Sequence, residues 1–346
     1  MPGSWLGTRT TSCSDGCLSI TSFSREASMA EPTGDQNLQN NLIGLEPRQF
    51  DAYVDAIETS GGLIAKMGPN VEALVWTDYA RPDLLAAMLK DNPQLRFVQL
   101  PFAGVDAFSQ IIAGSPQITF TSAKRSYSEP VAEHALMLCM ALGRIIPERV
   151  RAKSWGKKHA DSLFDAEVVI VGGGGIAQQL VELLAPMRSR VRVVRKRPGE
   201  SFDNSRYSTV VGFDELDECI SRAQFVILAC ALTQETRFLF DAERFKMMRK
   251  DAYLVNVARG EIVNQEDLVL ALNSGEIAAC ATDVTYPEPL PDDHKMWGVE
   301  NLLITPHTAD TMPIVTRLFA LRLEENVTAW LSGSEPVGIV DPGLGY

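Results

Sequence analysis

The stretch EVVIVGGGGIAQQLVELL, residues 167–184, constrains the fold of this chain more than any other. A five-residue apolar strand, 167–171, runs into four consecutive glycines, and apolar positions then recur at helical spacing. A strand that turns this tightly into a helix is the first half of a strand–helix–strand unit, which belongs to a parallel sheet. Gly172, Gly174 and Ala177 fall in GxGxxA spacing. Glycines there permit the turn and let backbone N–H groups approach a pyrophosphate at the positive end of the helix, while Ala177 lets helix and sheet pack closely. A glycine string alone also fits a flexible turn; its setting between strand and helix points to a dinucleotide site.

The same alternation extends along most of the chain. Residues 71–76 and 96–100 read as strands, with helical spacing in RPDLLAAMLKD between them. A long helix is expected after a cap-like Ser128, with Pro130 in its first turn, through VAEHALMLCMALGR. After a polar, irregular WGKKHADSLFDA come strands at 167–171, 191–194, 225–230, 252–257 and 301–305 and in EIAACAT, with helices between, and then an amphipathic helix, MPIVTRLFALRLEENVTAWLSG. The expected organisation is α/β with two nested domains: residues 131–309 bind dinucleotide, while 38–130 and 310–346 together bind substrate, and the cleft between them holds the site. Residues 1–37 read as a disordered or extended N-terminus; the first 28 are rich in Ser, Thr and Gly without the apolar core of a secretory signal, and Met29 offers a later start.

A formal net charge of -12 argues against nucleic acid or anionic membrane as partner. Small molecules or protein are expected instead. The six cysteines form no CxxC pair and three lie in apolar runs, which favours buried thiols in a reducing cytoplasm over disulfides or a metal cage, so no metal is expected. Apolar stretches are too short and too interrupted by charge to span a bilayer.

Against that acidic background, Arg195, Lys196 and Arg197 crowd together at the end of the second strand of the glycine-turn unit. In such units an acid about 20 residues beyond the glycines accepts hydrogen bonds from the adenosine ribose. A carboxylate repels a 2′-phosphate, whereas guanidinium forks grip one. The cluster therefore favours NADP(H), with NAD(H) possible; a solvated basic loop is the plainer alternative.

Three other strand ends carry chemistry-bearing residues: Arg259 in VNVARGEIV, Asp283 and Glu288 in ATDVTYPEPLP, and His307 in LLITPHTAD. Strand ends along one edge of a parallel sheet are where ligands bind. Taken singly they also suit an ion pair, a solvated turn and a capped strand.

FAGVDAF, VAEHALMLCMALGR, VGGGGIA, CALTQETRFLFDAERFKMMRKDAYLVNVARGEIV, DVTYPEPLP, WGVENLLITPH and VDPGLGY follow one another in an order that resembles the D-isomer-specific 2-hydroxyacid dehydrogenases from about residue 40 onward. The resemblance implies a Rossmann-type coenzyme domain inserted into a flavodoxin-like substrate domain, and a homodimer. It implies a triad of Arg259, Glu288 and His307, with His307 as the acid/base and Asp283 as a supporting acid. It also implies a substrate-binding turn at Ala103 and Gly104, working with Arg259, and a cofactor set of Gly172, Gly174, Gly175, Ile176, Arg195, Lys196, Arg197, Thr233, Ala258 and Asp283. The implied reaction is NAD(P)H-dependent reduction of a small 2-keto acid to the D-2-hydroxy acid. LPFAGVD with WGVENLLITPH looks like the glyoxylate/hydroxypyruvate reductase branch. A phosphoglycerate dehydrogenase-type enzyme and a dinucleotide-sensing, corepressor-like interaction protein are the alternatives. The chain departs from the family in lacking the Asp after the second strand, in lacking a proline before LTQET, and in carrying Asp310 three residues after His307. Trp76, Phe102 and Trp297 suit a pocket lining and a packed core equally well.

Overall fold

The computed structural model describes residues 41–342 apart from Tyr79 and Asn204, so the N-terminal reading, Cys13 and Cys17 lie outside the described residues. Two wholly parallel sheets are built in sequence. The first uses β1 (Leu42–Glu46), β2 (Leu63–Ile64), β3 (Ala73–Trp76), β4 (Phe97–Gln99) and β5 (Thr119–Thr121), joined through α1 (Asp51–Thr59), α2 (Pro82–Asp91) and α3 (Ser109–Ala113). Its spatial order, β2-β1-β3-β4-β5, is the flavodoxin-like order. The chain then passes through α4 (Ser128–Gly143) and α5 (Ile146–Arg151).

The second sheet uses β6 (Glu167–Val171), β7 (Arg190–Val194), β8 (Ser208–Val211), β9 (Phe225–Leu228), β10 (Tyr253–Asn256), β11 (Ala279–Thr282) and β12 (Leu302–Ile304). Helices α6 (Gly175–Leu184), α7 (Leu216–Arg222), α8 (Ala242–Met247) and α9 (Gln265–Ser274) cross between strands. In the order β12-β11-β10-β9-β6-β7-β8, the strands run outward in both directions from β6 and β9. This is the doubly wound Rossmann order with one strand added at the edge, and the reversal at β6/β9 opens a crevice beyond their C-terminal ends.

Pleating explains why these strands read as continuous apolar runs. Along β6, Val168 and Ile170 enter one core and Val169 and Val171 another; along β3, Ala73 and Val75 face one way and Leu74 and Trp76 the other. Both faces are covered, as parallel sheets require. Each fully buried Val, Leu or Ile contributes about 1.5–3 kcal/mol of burial free energy. Trp76, at 1% exposure, belongs to this core rather than to a pocket.

The last helix, α10 (Met312–Ser332), returns to the first sheet. Phe319 meets Tyr53 edge-on at 5.1 Å, and Trp330 stacks on Phe97 at 5.3 Å. Its buried face is not purely apolar, as amphipathic spacing suggests. Asn326 donates to Gln99 Oε1 at 2.6 Å and accepts from the Val337 N–H at 2.8 Å, while Arg322 donates to the carbonyls of Ser122 and Lys124. These bonds satisfy groups whose burial would otherwise cost about 1–3 kcal/mol each.

One local expectation fails. Ser128 is the first residue of α4 rather than its cap, and Tyr127 takes the cap position without a side-chain bond to the helix. The Ser128 hydroxyl sits where a Cβ on Gly175 would lie, so the start of α4 is packed against the start of α6.

Candidate active site

The turn between β6 and α6 is shaped by its glycines. Gly172 has φ +118°, and a Cβ there would overlap the Ala229 carbonyl and crowd the Cys230 nitrogen. Gly174 is the N-cap of α6 without a side-chain cap, and a Cβ on it would meet nothing within 4 Å. Beside Gly174 the start of this ten-residue helix is open, which suits a pyrophosphate. Gly175 and the half-buried Ile176 follow in the first turn, and Ala177 is fully buried against the sheet. Thr233 stands beyond β9 in a turn closed by its bond from N–H to Thr236 Oγ1 at 2.7 Å. Ala258 lies beyond β10, its N–H donating to Asn256 Oδ1 at 3.0 Å.

The basic cluster lies at the end of β7, and all three cations face carboxylates. Arg195 Nη2 donates to Glu200 Oε2 at 3.0 Å and Arg197 Nη1 to Glu200 Oε1 at 2.8 Å, while Lys196 pairs with Glu235 at 2.7 Å. Burial, together with the charges of Arg125 and Arg197, pushes the Lys124 ammonium below its ordinary range. The positive field therefore extends to the segment leading into α4.

At the other strand ends, the structure brings Arg259, Glu288 and His307 together. His307 Nδ1 lies 2.9 Å from Glu288 Oε2, and Glu288 Oε1 accepts the Thr285 N–H at 2.8 Å. The bond to Glu288 raises the His307 pKa above its ordinary 6.5, against the opposing effect of burial, with the charges of Glu288, Asp310 and Asp283 assisting. Burial raises the Glu288 carboxyl, but the His307 bond, the Thr285 N–H and the charges of His307 and Arg259 outweigh it and leave the carboxyl low. Asp310 is different: burial dominates over the attraction of His307 and Arg259, and its carboxyl is held above the usual aspartate range.

Arg259 is held from two directions. Its Nη1 donates to the Ala258 carbonyl at 2.7 Å and its Nε to Asp106 Oδ2 at 3.2 Å. The guanidinium fills the place a Cβ would take on Gly104, so the Ala103–Gly104 turn and Arg259 are packed together. Asn256 fixes the loop below by donating to the Arg259 carbonyl at 2.9 Å.

Asp283, 2% exposed, anchors the loop that carries His307. Its Oδ1 accepts from the Thr305 hydroxyl at 2.6 Å and the Thr308 N–H at 2.9 Å, its Oδ2 accepts the Ala309 N–H at 3.0 Å, and His134 Nε2 lies 3.3 Å away. Burial raises its carboxyl, but these bonds outweigh that and leave it low. Its carbonyl accepts the His307 N–H at 2.8 Å, and His307 itself adopts a left-handed φ of +51°. Asp283 therefore holds the backbone on both sides of His307. Asp106, His134, Thr305 and Glu200 were not singled out from the sequence; Asp106 lies within the noted FAGVDAF, but its partner is 153 residues away. Phe102 packs on Tyr127 at 6.1 Å beside the Ala103–Gly104 turn, whereas Trp297 is half exposed and donates to the Pro291 carbonyl.

A Rossmann sheet with a glycine turn beyond β6, and an imidazole–carboxylate pair and a guanidinium beyond other strand ends of the same sheet, defines a nicotinamide-dinucleotide oxidoreductase. The comparisons agree. Residues 134–309 match the D-isomer specific 2-hydroxyacid dehydrogenase, NAD binding domain family. The chain is 34% identical over 308 residues, 86% of its length and all of the relative's, to an uncharacterized protein in the proB 3' region of Corynebacterium melassecola. It is 29% identical to glyoxylate/hydroxypyruvate reductase B of Escherichia fergusonii, over 87% of this chain and 90% of that one. The crystal structure of a D-isomer specific 2-hydroxyacid dehydrogenase from Xanthobacter autotrophicus Py2, in complex with NADPH and MES, superposes with a TM-score of 0.75 at 26% identity, covering 88% of this chain and 99% of that one. The chain belongs to the D-isomer-specific 2-hydroxyacid dehydrogenase family and is an NAD(P)-dependent oxidoreductase.

Proposed function

We propose that this enzyme reduces a small 2-keto acid to the D-2-hydroxy acid, hydroxypyruvate to D-glycerate or glyoxylate to the achiral glycolate, with NADP(H) preferred and NAD(H) accepted. The observation that carries this reading is the 2.9 Å contact between His307 and Glu288, with Arg259 near enough to lower the same carboxyl. The 172–177 turn would hold the pyrophosphate of a nicotinamide dinucleotide, whose reduced ring would supply the hydride. As negative charge grows on the substrate carbonyl oxygen, His307 hands it a proton; with Nδ1 committed to Glu288, Nε2 is the nitrogen available for the transfer. Arg259 holds the substrate carboxylate and stabilises the oxyanion, and the backbone at Ala103 and Gly104 completes the carboxylate seat. The named activity of the Escherichia fergusonii relative supports the substrate class, and the NADPH in the Xanthobacter structure supports the cofactor.

In this reading the two sheets are the two domains, divided near residues 130 and 310, and the site lies in the crevice between them. The chain pairs as a homodimer through α4 and α5, where Met137, Met140, Ile146 and Val150 are exposed apolar side chains. A reducing cytoplasm is the proposed setting, which the four free cysteines among the described residues suit; among those residues no helix is long and apolar enough to cross a membrane. The test is to mix purified enzyme with NADPH or NADH and a panel of 2-keto acids, follow nicotinamide absorbance, and resolve the product enantiomers. Loss of absorbance with glyoxylate or hydroxypyruvate, and D-glycerate from the latter, is expected; an inert panel rejects the reading.

A further inference from the structure

Arg195 leaves β7 with its stem laid on the glycine turn. A Cβ on Gly173 would meet Arg195 Cδ at 2.7 Å, and the side chain is only 14% exposed. The packed stem and the bond from Nη1 to the Ser201 carbonyl at 3.1 Å fix the head of Arg195 in place. Arg197 lies beside it, and the Glu200 carboxylate spans the two guanidinium groups with one oxygen on each. The hydrogen bond from Arg197, assisted by the charges of both arginines and the bond from Arg195, draws the Glu200 carboxyl below its ordinary range against the opposing effect of desolvation. The seat that the sequence reserves for an anion already holds one from the chain itself.

We propose that Glu200 is an internal competitor for the 2′-phosphate of the dinucleotide and sets how strongly this enzyme discriminates between the phosphorylated and unphosphorylated cofactor. The proposal rests on reading the 172–177 turn with Arg195 and Arg197 as the cofactor site. A 2′-phosphate and a carboxylate cannot share the same two forks without like-charge repulsion, so the phosphate binds only after Glu200 has left. Glu200 can leave readily, being half exposed on a surface turn, and Arg195 stays in place because its hold on Gly173 and Ser201 does not involve Glu200. A ribose with a free 2′-hydroxyl needs no displacement, because that hydroxyl can donate to the carboxylate. Glu200 thus takes over the work of the acid missing from the end of β7 while the arginines keep the phosphate seat, and the preference for NADP(H) is narrower than the basic cluster alone implies.

The test is calorimetric titration of the full chain and its Glu200→Gln and Arg195→Ala variants with adenosine 2′,5′-bisphosphate and with 5′-AMP, which report the seat without turnover. Each exposed pair is worth up to about a fivefold change, so Glu200→Gln is expected to bind the bisphosphate about five- to twentyfold more tightly than wild type, and 5′-AMP no more tightly. Arg195→Ala should lose the bisphosphate preference. A gain in affinity cannot arise from misfolding. If wild type binds the bisphosphate and Glu200→Gln binds it within twofold of wild type, the competitor role is wrong and the cofactor site survives. If wild type binds neither nucleotide, the site assignment itself is wrong.

Discussion

Arg259, beyond the end of β10 in the seven-stranded sheet, donates through Nε to Asp106, beyond the end of β4 in the five-stranded sheet, at 3.2 Å. The pair joins the two sheets across the proposed site and aims the remaining guanidinium nitrogens at the Ala258 carbonyl and Gly104. Both side chains are partly exposed, so the bond contributes only about 0–1 kcal/mol to folding. Its effect is on orientation. Asp106→Ala is expected to raise KM for the keto acid about tenfold with a smaller change in kcat, because a carboxylate seat with a loose fork loses affinity before chemistry. Thermal melting should stay within about 2 °C of wild type. A variant with unchanged KM would remove Asp106 from any positioning role.

Replacing His307 by Ala removes the proposed proton donor while leaving the glycine turn intact. Turnover should fall by about two to four orders of magnitude. Quenching of protein fluorescence by NADPH should be retained, and steady-state kinetics beside that binding curve separates the two effects.

The raised pKa of His307 gives the reduction a definite pH dependence. If protonated His307 is the donor, as proposed, kcat/KM for the keto acid is high at low pH and falls as pH rises through the folded-state pKa, which lies above 6.5. The His307–Glu288 pair contributes to stability over the same range. On the His307 side its contribution is present below the unfolded pKa and disappears as pH climbs through the raised value; on the Glu288 side, where the carboxyl is lowered, it disappears as pH falls through that value. Glu288→Gln removes the largest raising influence and should shift the alkaline limb of the rate profile toward lower pH. An unmoved limb would show that another group titrates.

Asp283 is predicted to matter for both stability and rate. Truncation to Ala removes the acceptor of the buried Ala309 N–H and of the part-buried Thr308 N–H and Thr305 hydroxyl. The cost is about 3 kcal/mol, since each buried donor left unpaired costs about 1–3 kcal/mol and the loop relaxes in part. Urea unfolding measures that loss. Turnover at a temperature where the variant remains folded should also drop, because the loop aiming His307 is released.

Gly172→Ala tests the turn itself. The left-handed φ of +118° and the overlap with the Ala229 carbonyl make any side chain unfavourable there. A loss of about 2 kcal/mol in stability is expected, with weaker dinucleotide binding, read by the same fluorescence titration.

Much of this molecule was written locally. The order of strands and helices follows from apolar spacing and glycine turns, which act over a few residues, and so EVVIV and YLVN could be recognised without the rest of the chain. β2, β5 and β8, the last with the sequence STVV, went unseen because each is a short, part-exposed edge strand that becomes a strand by pairing with β1, β4 or β7. Arg259, Glu288 and His307 could be named from residue type and position at strand ends. Tertiary structure alone decided what those groups touch: Asp106 on Arg259, the cluster of donors around Asp283, Ser128 against Gly175, and Glu200 between two arginines. Sequence encodes residue type and short-range period, whereas the tenths of an ångström that make a hydrogen bond or an ion pair arise only when loops from distant segments are packed onto the same sheet edges.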